Sequence, residues 1–330
     1  MKTKAILVTG GAGYIGSHAC KSLAQAGYFP VAYDNLVHGH SWAVQWGPLE
    51  VGDITNRHKL DYVIRKYRPV AIMHFAAYAY VGESVQNPGK YYQNNVAGTL
   101  SLLEVARDHH INKFIFSSTC ATYGVPTEFP IRESHLQNPI NPYGSSKLMI
   151  ERILQDFDQA HGIRSISLRY FNAAGADPDA EIGEAHHPET HLIPLVLDVA
   201  NGLLPYINIF GNDYETPDGT CIRDYIHVSD LANAHILALQ ALENGAITTA
   251  YNLGNGQGYS VNEVILMAGE VTKKNIQVEI TSRRIGDPAR LVGDATRAKV
   301  ELMWQPKFDK LQNLIETAWN WHCKYKSKSK

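Results

Sequence analysis

The chain has 330 residues, of which 45% are hydrophobic and 19% are charged, and its formal net charge is -2. A single core rarely grows beyond about 250 to 300 residues, so the length predicts two lobes, and the composition excludes disorder over most of the chain. A nucleic-acid surface normally needs a clear basic excess, and 30 Lys and Arg against 32 Asp and Glu argue against such a partner.

The first half alternates short apolar strands with amphipathic helices. Predicted strands are Ala5–Thr9, Phe29–Tyr33, Leu49–Gly52, Val70–Phe75, Lys113–Ser118 and Arg164–Arg169. Predicted helices are Tyr14–Ala26, Arg57–Tyr67, Lys90–Asp108 and Ser145–Ala160. Parallel strands need crossover helices, so this alternation predicts an α/β fold with a Rossmann-type doubly wound parallel sheet.

The regular alternation ends after Phe171, where a Pro- and His-containing loop runs from Asp177 to His191. Beyond it we predict helices Ile193–Asn201, Leu231–Glu243, Val261–Thr272 and Leu311–His322, and strands Cys221–Val228 and Gln277–Ile280. We therefore expect a dinucleotide-binding domain over 1–172 and a smaller C-terminal α/β substrate lobe over 173–330, with segments that can return to the first domain. Residues 324–330 are predicted to form a flexible tail.

The cysteines and the apolar runs indicate the compartment. Four widely spaced cysteines give neither a zinc-site spacing nor a disulfide framework, which favours a reducing environment. The apolar run at the start, Ala5 to Val8, is too short for a secretory signal, and no later run approaches the roughly 18 residues of a membrane span. We expect a cytoplasmic protein with no membrane partner.

A glycine-rich turn between the first strand and the first helix predicts a dinucleotide site. Gly10, Gly13 and Gly16 permit a tight turn, close approach of a pyrophosphate and close packing of the helix on the sheet. Asp34, at the end of the second strand, suits a ribose 2′-hydroxyl and would repel a 2′-phosphate, so NAD is favoured over NADP. Asp53 follows the third strand and is a candidate for the adenine amino group.

The run Asn141 to Lys147 places Tyr143 and Lys147 one helical turn apart, directly after a predicted helix start at Pro142. A tyrosine base at neutral pH needs its pKa lowered by about 3, or about 4 kcal/mol, which a nearby cation favours. A hydroxyl from the fifth strand is expected beside it. Chemistry alone does not choose among Ser117, Ser118, Thr119 and Thr122.

These motifs, together with HFAA and VGES, RYFNAAG, IFGNDY, DGTCIRDYIHV, YNLGNGQGYS and RRIGDP, closely resemble the UDP-glucose 4-epimerases, a family of extended short-chain dehydrogenases/reductases. The resemblance covers nearly the whole chain. It implies that Tyr143 is the acid/base, that Lys147 is its electrostatic partner and that Thr119 is the hydroxyl beside it.

The same resemblance implies two sets of contacts. For NAD they are Gly10, Gly13, Tyr14, Ile15, Gly16, Asp34, Asn35, Asp53, Ile54, Phe75, Ala76, Asn94, Tyr143, Lys147 and Tyr170. For the UDP-sugar they are Thr119, Tyr143, Asn172, Leu192, Phe210, Arg223, Tyr225, Arg284, Asp287 and Leu291. Ala79 stands where many relatives have Lys, and His191 where many have Asn, so neither receives a role.

The activity implied is interconversion of UDP-glucose and UDP-galactose, by oxidation at C4′ to a 4-keto sugar and re-reduction from the other face, with NAD held tightly. The alternatives are a wider range that includes N-acetylated or pentose UDP-sugars, a nucleotide-sugar 4,6-dehydratase and a non-catalytic NAD sensor. A dehydratase needs a carboxylic acid where this chain has Cys120 and Ala121. A sensor would leave the pairing of Tyr143 with Lys147 unexplained.

Three further expectations complete the sequence interpretation. In the family, Tyr at the position of Leu291 is associated with restriction to UDP-glucose and UDP-galactose, so Leu291 predicts tolerance of a 2-N-acetyl group. A homodimer is implied, built from the helices at Lys90–Asp108 and Ser145–Ala160. No metal is expected, because the sequence offers no Cys or acidic ligand set that completes the histidines His186, His187 and His191.

Overall fold

The computed structural model describes residues 3–284 and 287–327. Its largest element is a seven-stranded sheet in the order β11-β6-β5-β4-β1-β2-β3, and every pairing in it is parallel. The strands are β1 (Ala5–Thr9), β2 (Phe29–Asp34), β3 (Leu49–Val51), β4 (Ala71–His74), β5 (Lys113–Thr119), β6 (Arg164–Tyr170) and β11 (Thr249–Leu253). The predicted Rossmann-type fold is confirmed.

Helices cover both faces of this sheet, as parallel strands require. They are α1 (Tyr14–Gln25), α2 (Arg57–Tyr67), α3 (Val81–Gln86), α4 (Pro88–Tyr91), α5 (Gly98–Asp108), α6 (Pro142–His161) and α8 (Val228–Glu243). Alternate residues of β1 serve the two faces: Ile6 and Val8 pack in the core that includes α8, and Leu7 packs in the core that includes α2 and α5. Strands buried on both sides in this way read in sequence as continuous apolar runs.

A smaller lobe has its own core and three short sheets. Its helices are α7 (Leu192–Ala200), α9 (Val261–Thr272) and α11 (Leu311–Ser327), whereas α10 (Thr296–Glu301) returns to the large sheet, where Ala298 packs in the same core as Leu253 of β11. Its strands are β7 (Asn172–Ala174), β8 (Ile207–Phe210), β9 (Ile222–Arg223), β10 (Tyr225–His227), β12 (Tyr259–Ser260), β13 (Val278–Thr281) and β14 (Arg290–Leu291). The side chains of Ser260 and Glu263 form a capping box at the start of α9.

The single strand predicted over Cys221–Val228 is wrong, because Asp224 divides it. Its buried carboxylate accepts hydrogen bonds from the backbone N–H groups of Asn255, Gly256 and Gly293, at 2.8 to 3.1 Å. Before Asp224 in the chain, β9 pairs with β12 and β14. After Asp224, β10 pairs with β7. The two short sheets therefore meet at one buried aspartate.

The flexible tail predicted from Lys324 is also wrong for the residues that the structure describes, because α11 continues to Ser327. The Tyr325 ring lies against the Trp42 and Trp321 rings, with centroids 5.5 and 5.2 Å away. Lys326 Nζ lies 3.5 Å from a carboxylate oxygen of Asp198. These contacts give the last turn of the helix a packed face. Residues 328–330 lie outside the described part of the chain.

Candidate active site

The glycine turn between β1 and α1 leaves no room for side chains. Gly10 has φ +73°, and a Cβ there would lie 2.6 Å from the backbone nitrogen of Ala76. A Cβ at Gly16 would overlap the carbonyl oxygen of Gly10. Gly13 precedes the first residue of α1, where backbone N–H groups have no partner within the helix. The turn is therefore a close-fitting cradle for an anionic group at a helix N-terminus.

Asp34, at the end of β2, lies beside this cradle. Its carboxylate accepts hydrogen bonds from Ala12 N at 3.0 Å and Leu36 N at 2.8 Å. Burial raises the pKa of Asp34, although the two N–H donors oppose that change. Burial likewise acts to raise the pKa of Asp53, but hydrogen bonds from Thr55 and Asn35 outweigh it and leave that pKa lowered.

The other residues predicted to contact the cofactor are arranged around the same end of the sheet. Phe75 and Ala76 follow β4 directly and pack beside Gly10. The Tyr14 hydroxyl donates to Gly175 O at 2.6 Å, which joins α1 to the segment after β7. The Ile15 side chain is half-buried against the core that includes α8, whereas the Ile54 side chain lies inside the core that includes α2 and α5.

A π-helical turn, Tyr92–Ala97, interrupts the helix predicted over Lys90–Asp108, which begins at Pro88 instead. Such turns are frequent at functional sites. Asn94 lies in it, and its Nδ2 donates to Asn95 Oδ1. The buried Asn95 side chain bonds both backbone groups of Tyr78 and the Ser146 hydroxyl. Asn95, which sequence reasoning missed, thus ties the loop after β4 to α6.

Tyr143 and Lys147 lie on the first turns of α6, which Asn141 caps by accepting from Gly144 N at 2.8 Å. Lys147 Nζ donates to Ser117 O at 2.8 Å and lies 5.9 Å from the centre of the Tyr143 ring. Burial lowers the pKa of Lys147 to about 7, an effect that Glu151 partly offsets. Burial raises the pKa of Tyr143 to about 12, and a hydrogen bond from Thr119 opposes this.

The structure separates the four hydroxyls that chemistry alone left open. Ser117 Oγ bonds the Tyr170 hydroxyl, and Ser118 Oγ donates to Glu151 at 2.5 Å. Thr122 Oγ1 donates to Thr119 O at 3.0 Å. Thr119 Oγ1 accepts from Ala121 N at 3.1 Å and interacts with the Tyr143 phenol. Thr119 is therefore the hydroxyl placed beside Tyr143, while it also caps the turn after β5.

Sequence reasoning missed a buried ion pair behind this site. Glu151, one helical turn after Lys147, accepts from Arg169 Nε and NH2, the latter at 2.6 Å. Arg169 also donates to the Tyr123 hydroxyl, which in turn donates to Asn252 Oδ1 at 2.7 Å. An R before the YFN motif and an E after YGSSK are the only sequence signals, and neither indicates that the two pair. The network links β6, α6 and β11.

The residues predicted to contact the UDP-sugar come from separated segments of the smaller lobe. Asn172 and Tyr225 are register partners across β7 and β10. The Arg284 guanidinium lies 3.7 Å above the centre of the Phe210 ring. Arg223 donates to Pro288 O at 2.8 Å, and its NH2 lies 3.5 Å from Asp287 Oδ1. Of the RRIGDP motif, Ile285 and Gly286 fall outside the described residues.

Two further positions lie at the edges of this set. Leu192 is the first residue of α7 and is half-buried. Leu291 pairs in register with Arg223 and packs against the cluster of Tyr123, Ile131 and Phe171, which Cys120 also contacts. Leu291 and Cys120, the residue that follows Thr119, therefore border the same apolar cluster. Burial raises the pKa of the Cys120 thiol to about 12.

The expectation that no acidic side chain completes the histidines of the 177–191 loop is wrong. Glu184 and Glu189 lie beside His186 and His191, and one ligand atom from each of the four residues falls within 4.8 Å of the others. The spacing of E, H, E and H in GEAHHPETH carried this signal. It was missed because the four side chains converge only when the loop folds back on itself.

A model of the NAD dependent epimerase/dehydratase family matches residues 6–254. A UDP-glucose 4-epimerase from Rhizobium leguminosarum bv. trifolii is 52% identical over 324 residues, which span 98% of this chain and 99% of that protein. In the part of this chain that the structure describes, no helix has the length and apolar content needed to cross a membrane.

Solved structures give the same result. The structure of UDP-glucose 4-epimerase from Brucella ovis in complex with NAD has a TM-score of 0.94 and 51% identity, and the match covers 96% of this chain and 98% of that one. The UDP-Glc/GlcNAc 4-epimerase from Campylobacter jejuni has a TM-score of 0.84 and 40% identity, with 97% and 99% covered.

Proposed function

This chain belongs to the NAD dependent epimerase/dehydratase family, and we propose that it interconverts UDP-glucose and UDP-galactose by inverting C4′ of the sugar. The observation that carries the proposal is the convergence of Tyr143, Lys147 and Thr119 at the carboxyl end of β5, beside the glycine cradle. Open α/β sheets bind their ligands at this end. The near full-length identity to UDP-glucose 4-epimerases supports the choice of reaction.

The cradle fits NAD. Glycine at positions 10 and 16, where a Cβ would collide with backbone, keeps the turn tight enough to present its N–H groups to a pyrophosphate, and the buried Asp34 suits a ribose hydroxyl. Residues proposed to hold the rest are Gly13, Tyr14, Ile15, Asn35, Asp53, Ile54, Phe75, Ala76, Asn94, Tyr143, Lys147 and Tyr170. When bound, NAD supplies the acceptor and donor of hydride for C4′ and, when oxidised, a positive charge near the phenol.

Tyr143 takes the proton of the 4′-hydroxyl during oxidation and returns one to the 4′-oxygen during reduction. Its own protein surroundings hold its pKa at about 12, so ionisation near neutral pH depends on added positive charge. Lys147, with a pKa of about 7, is poised to take up a proton when the phenol loses one. The two groups therefore titrate as a coupled pair. Thr119 donates a hydrogen bond to the 4′-oxygen of the sugar.

The smaller lobe holds the UDP group while the sugar turns. Arg223 and Arg284 suit the diphosphate, because a guanidinium makes paired, charge-assisted hydrogen bonds. Asp287 orients Arg223 across 3.5 Å. The Phe210 ring offers an apolar face, and Asn172, Leu192 and Tyr225 complete the proposed contacts. Anchoring at UDP lets the sugar turn either face of C4′ to the hydride donor, with its 4′-oxygen still at Tyr143, without release of the sugar.

The test is to incubate the purified protein with UDP-galactose, without added NAD, and to identify the product by chromatography. UDP-glucose is the expected product. A 4-keto-6-deoxy sugar would instead indicate a dehydratase, although Cys120 and Ala121 supply no carboxylic acid for that elimination. Recovery of unchanged UDP-galactose from folded protein that contains NAD would contradict the proposal.

A wider substrate range is the second candidate, and Leu291 favours it. Its side chain packs beside Tyr123 and Phe171, on the wall near Cys120, where a larger residue would narrow the pocket. The Campylobacter jejuni relative is a UDP-Glc/GlcNAc 4-epimerase. We therefore propose that the N-acetylated pair of UDP-sugars is also accepted. Leu291 gives no support for UDP-pentoses as substrates, because it is proposed to affect only the substituent at C2′ of the sugar.

We also propose a cytoplasmic homodimer that pairs through α5 and α6. Leu100 on α5 and Met149 on α6 expose 38% and 44% of their surface, so both predicted helices offer apolar surface that a partner can cover. Light scattering after gel filtration should give twice the mass of one chain, 36.7 kDa. The Leu100→Glu, Met149→Glu double variant should give one chain, and a monomeric wild type would exclude the dimer.

A further inference from the structure

Four side chains outside the reaction centre face one another in the loop before α7. Glu184 Oε1 lies 2.5 Å from His191 Nδ1 and 3.0 Å from His186 Nδ1. Carboxylate oxygens of Glu189 lie 3.4 Å from His191 Nδ1 and 3.9 Å from His186 Nδ1. Both imidazoles therefore turn the same nitrogen inward, toward two carboxylates.

These separations match the spacing of ligands around one small cation. Four donors at about 2.0 to 2.2 Å from a tetrahedral ion are about 3.3 to 3.6 Å apart. The four N–O distances, 2.5 to 3.9 Å, lie on both sides of that range, and all four donor atoms fall within 4.8 Å of one another.

The charge and the burial of the two glutamates also favour a bound cation. The side chains of Glu184 and Glu189 expose only 7% and 13% of their surface, and two carboxylates this buried need compensating charge. Among the described residues, the ion pairs of both carboxylates are with these two histidines rather than with Lys or Arg. A divalent cation would neutralise both carboxylates and leave the imidazoles neutral.

A second group of acidic residues in the same loop provides the contrast. Asp177, Asp179 and Glu181 also come together, but Lys21 Nζ lies 2.7 Å from Asp177, 2.7 Å from Glu181 and 3.5 Å from Asp179. That group already has its cation, and it offers oxygen ligands alone. The Glu184 group has two nitrogen donors and no lysine.

The backbone around the four residues is firmly held. Trp321 Nε1 donates to Glu184 O at 2.9 Å, and a hydrogen bond of 2.7 Å joins His40 Nε2 to Ala185 O. The Glu189 carboxylate accepts from Thr190 N and His191 N, which orients it. Supporting contacts of this kind fix the first-shell ligands of metal sites.

We propose that Glu184, His186, Glu189 and His191 bind one divalent transition-metal ion, with Zn²⁺ as the best match. Two imidazole nitrogens with two carboxylate oxygens suit such ions better than Mg²⁺ or Ca²⁺, which prefer oxygen ligands. Four protein ligands leave no open position, so the role is structural.

The location explains what the ion would hold together. The His186 ring lies 6.3 Å from the Tyr14 ring of α1 and 6.2 Å from the Tyr80 ring before α3, measured between centroids. His191 is the residue directly before α7 of the smaller lobe. The ion therefore fastens the loop before α7 of the substrate lobe at the point where this loop packs against α1, the helix of the glycine cradle. It does not contact Tyr143.

The test uses full-length protein without a histidine tag, with its bound NAD, and with Zn²⁺ as the probe. The protein is dialysed against a strong chelator, then titrated with Zn²⁺ while bound metal and the melting temperature are measured. We expect one Zn²⁺ per chain and a Tm several degrees higher with zinc than without. A wild type that binds less than a tenth of an equivalent at micromolar zinc overturns the proposal.

Matched variants locate the site. His187→Ala, in the same loop but exposed and outside the group, should bind zinc as the wild type does. His186→Ala and His191→Ala should each weaken binding at least tenfold, in line with loss of one ligand. If His191→Ala unfolds because Glu184 loses its partner, Glu189→Gln provides the same readout. Unchanged zinc affinity in the folded variants would contradict the assignment.

Cobalt gives an independent readout. Co²⁺ in place of Zn²⁺ should show the intense visible bands of four-coordinate cobalt in the wild type and in His187→Ala. In His186→Ala, where water can take the vacant position, the bands should need at least tenfold more Co²⁺. Weak bands of six-coordinate cobalt in the wild type would overturn the four-ligand site.

Discussion

The sheet side and the lobe side of the proposed site are built differently. On the sheet side, the side chains of Lys147 and Thr119 are buried, with 2% and 6% of the residue exposed. Lys147 donates to the backbone oxygen of Ser117, and Thr119 accepts from the backbone nitrogen of Ala121. On the lobe side, Arg284 is exposed and Arg223 half-buried, and their contacts join segments far apart in the chain. The proposed catalytic groups thus lie inside a buried scaffold, whereas the proposed recognition groups are more exposed and come from separate segments.

This difference predicts how substitutions divide. Changes on the sheet side should reduce turnover or stability for every substrate. Changes on the lobe side should weaken the binding of every UDP-sugar at the arginines, or alter which UDP-sugar is used at Leu291, and leave the chemistry intact.

The largest effect is expected for Tyr143→Phe. It removes the proposed proton-transfer group, so turnover should fall roughly 10²- to 10⁴-fold. NAD content and UDP binding should stay near those of the wild type, because the ring is retained. Steady-state kinetics, with NAD released by denaturation and quantified, provide the measurement. Wild-type turnover in this variant would remove Tyr143 from the mechanism.

Next is Arg169→Met, compared with Arg65→Met. Arg169 pairs with Glu151 behind the catalytic helix, and both side chains are buried. Losing one partner leaves an uncompensated buried carboxylate, at a cost of about 3 to 5 kcal/mol in the free energy of unfolding. Arg65 pairs with Asp61 at the surface, where water screens the charges and the loss should be small by comparison. Urea denaturation measures both, and equal effects would show that the buried network does not stabilise the scaffold.

Lys147→Met tests the coupled pair through pH. The pKa of Tyr143 is raised to about 12 by burial, and its ionisation depends on the positive charge of Lys147 and of oxidised NAD. Without Lys147 one of these charges is lost, so the rise of kcat with pH should move upward by about 1 to 3 pH units. At pH 7 the variant should be about 10- to 1,000-fold slower, and part of that loss should return at pH 9 or above. A pH profile that coincides with that of the wild type would leave Lys147 a purely structural role.

The smallest effect is expected on the lobe side, for Leu291→Tyr. A larger wall should exclude the N-acetyl group, which changes discrimination by about 1 to 3 kcal/mol, or roughly 10- to 200-fold. The measurement is kcat/KM for UDP-galactose and UDP-N-acetylgalactosamine in both proteins. Activity on UDP-galactose should change little. The same ratio in both proteins, or no wild-type activity on the acetylated sugar, would contradict the role of Leu291.

Sequence reasoning succeeded where the signal is local. The alternation of β1 to β6 with helices, the turn at Gly10 and the Tyr143–Lys147 spacing all follow from residues within one or two helical turns. Each strand boundary in the first half lies within one residue of the prediction. Local periodicity and glycine chemistry are sufficient for such elements.

It failed where distant contacts decide. Asp224 breaks a predicted strand because Asn255, Gly256 and Gly293, far along the chain, donate to it. The last turn of α11 forms because Tyr325 meets Trp42. Pairing between segments that are remote in sequence has no periodic signature, so the folded chain is needed to find it.

The most direct test of the division between chemistry and recognition traces the hydrogen atom on C4′ of the sugar through the reaction. UDP-galactose with deuterium at C4′ is given to the purified protein without added NAD, and the product is analysed by NMR. The account predicts UDP-glucose that keeps the deuterium at C4′, because the anchored sugar takes its own hydride back before leaving. Loss of the deuterium, or a requirement for added NAD, would contradict it.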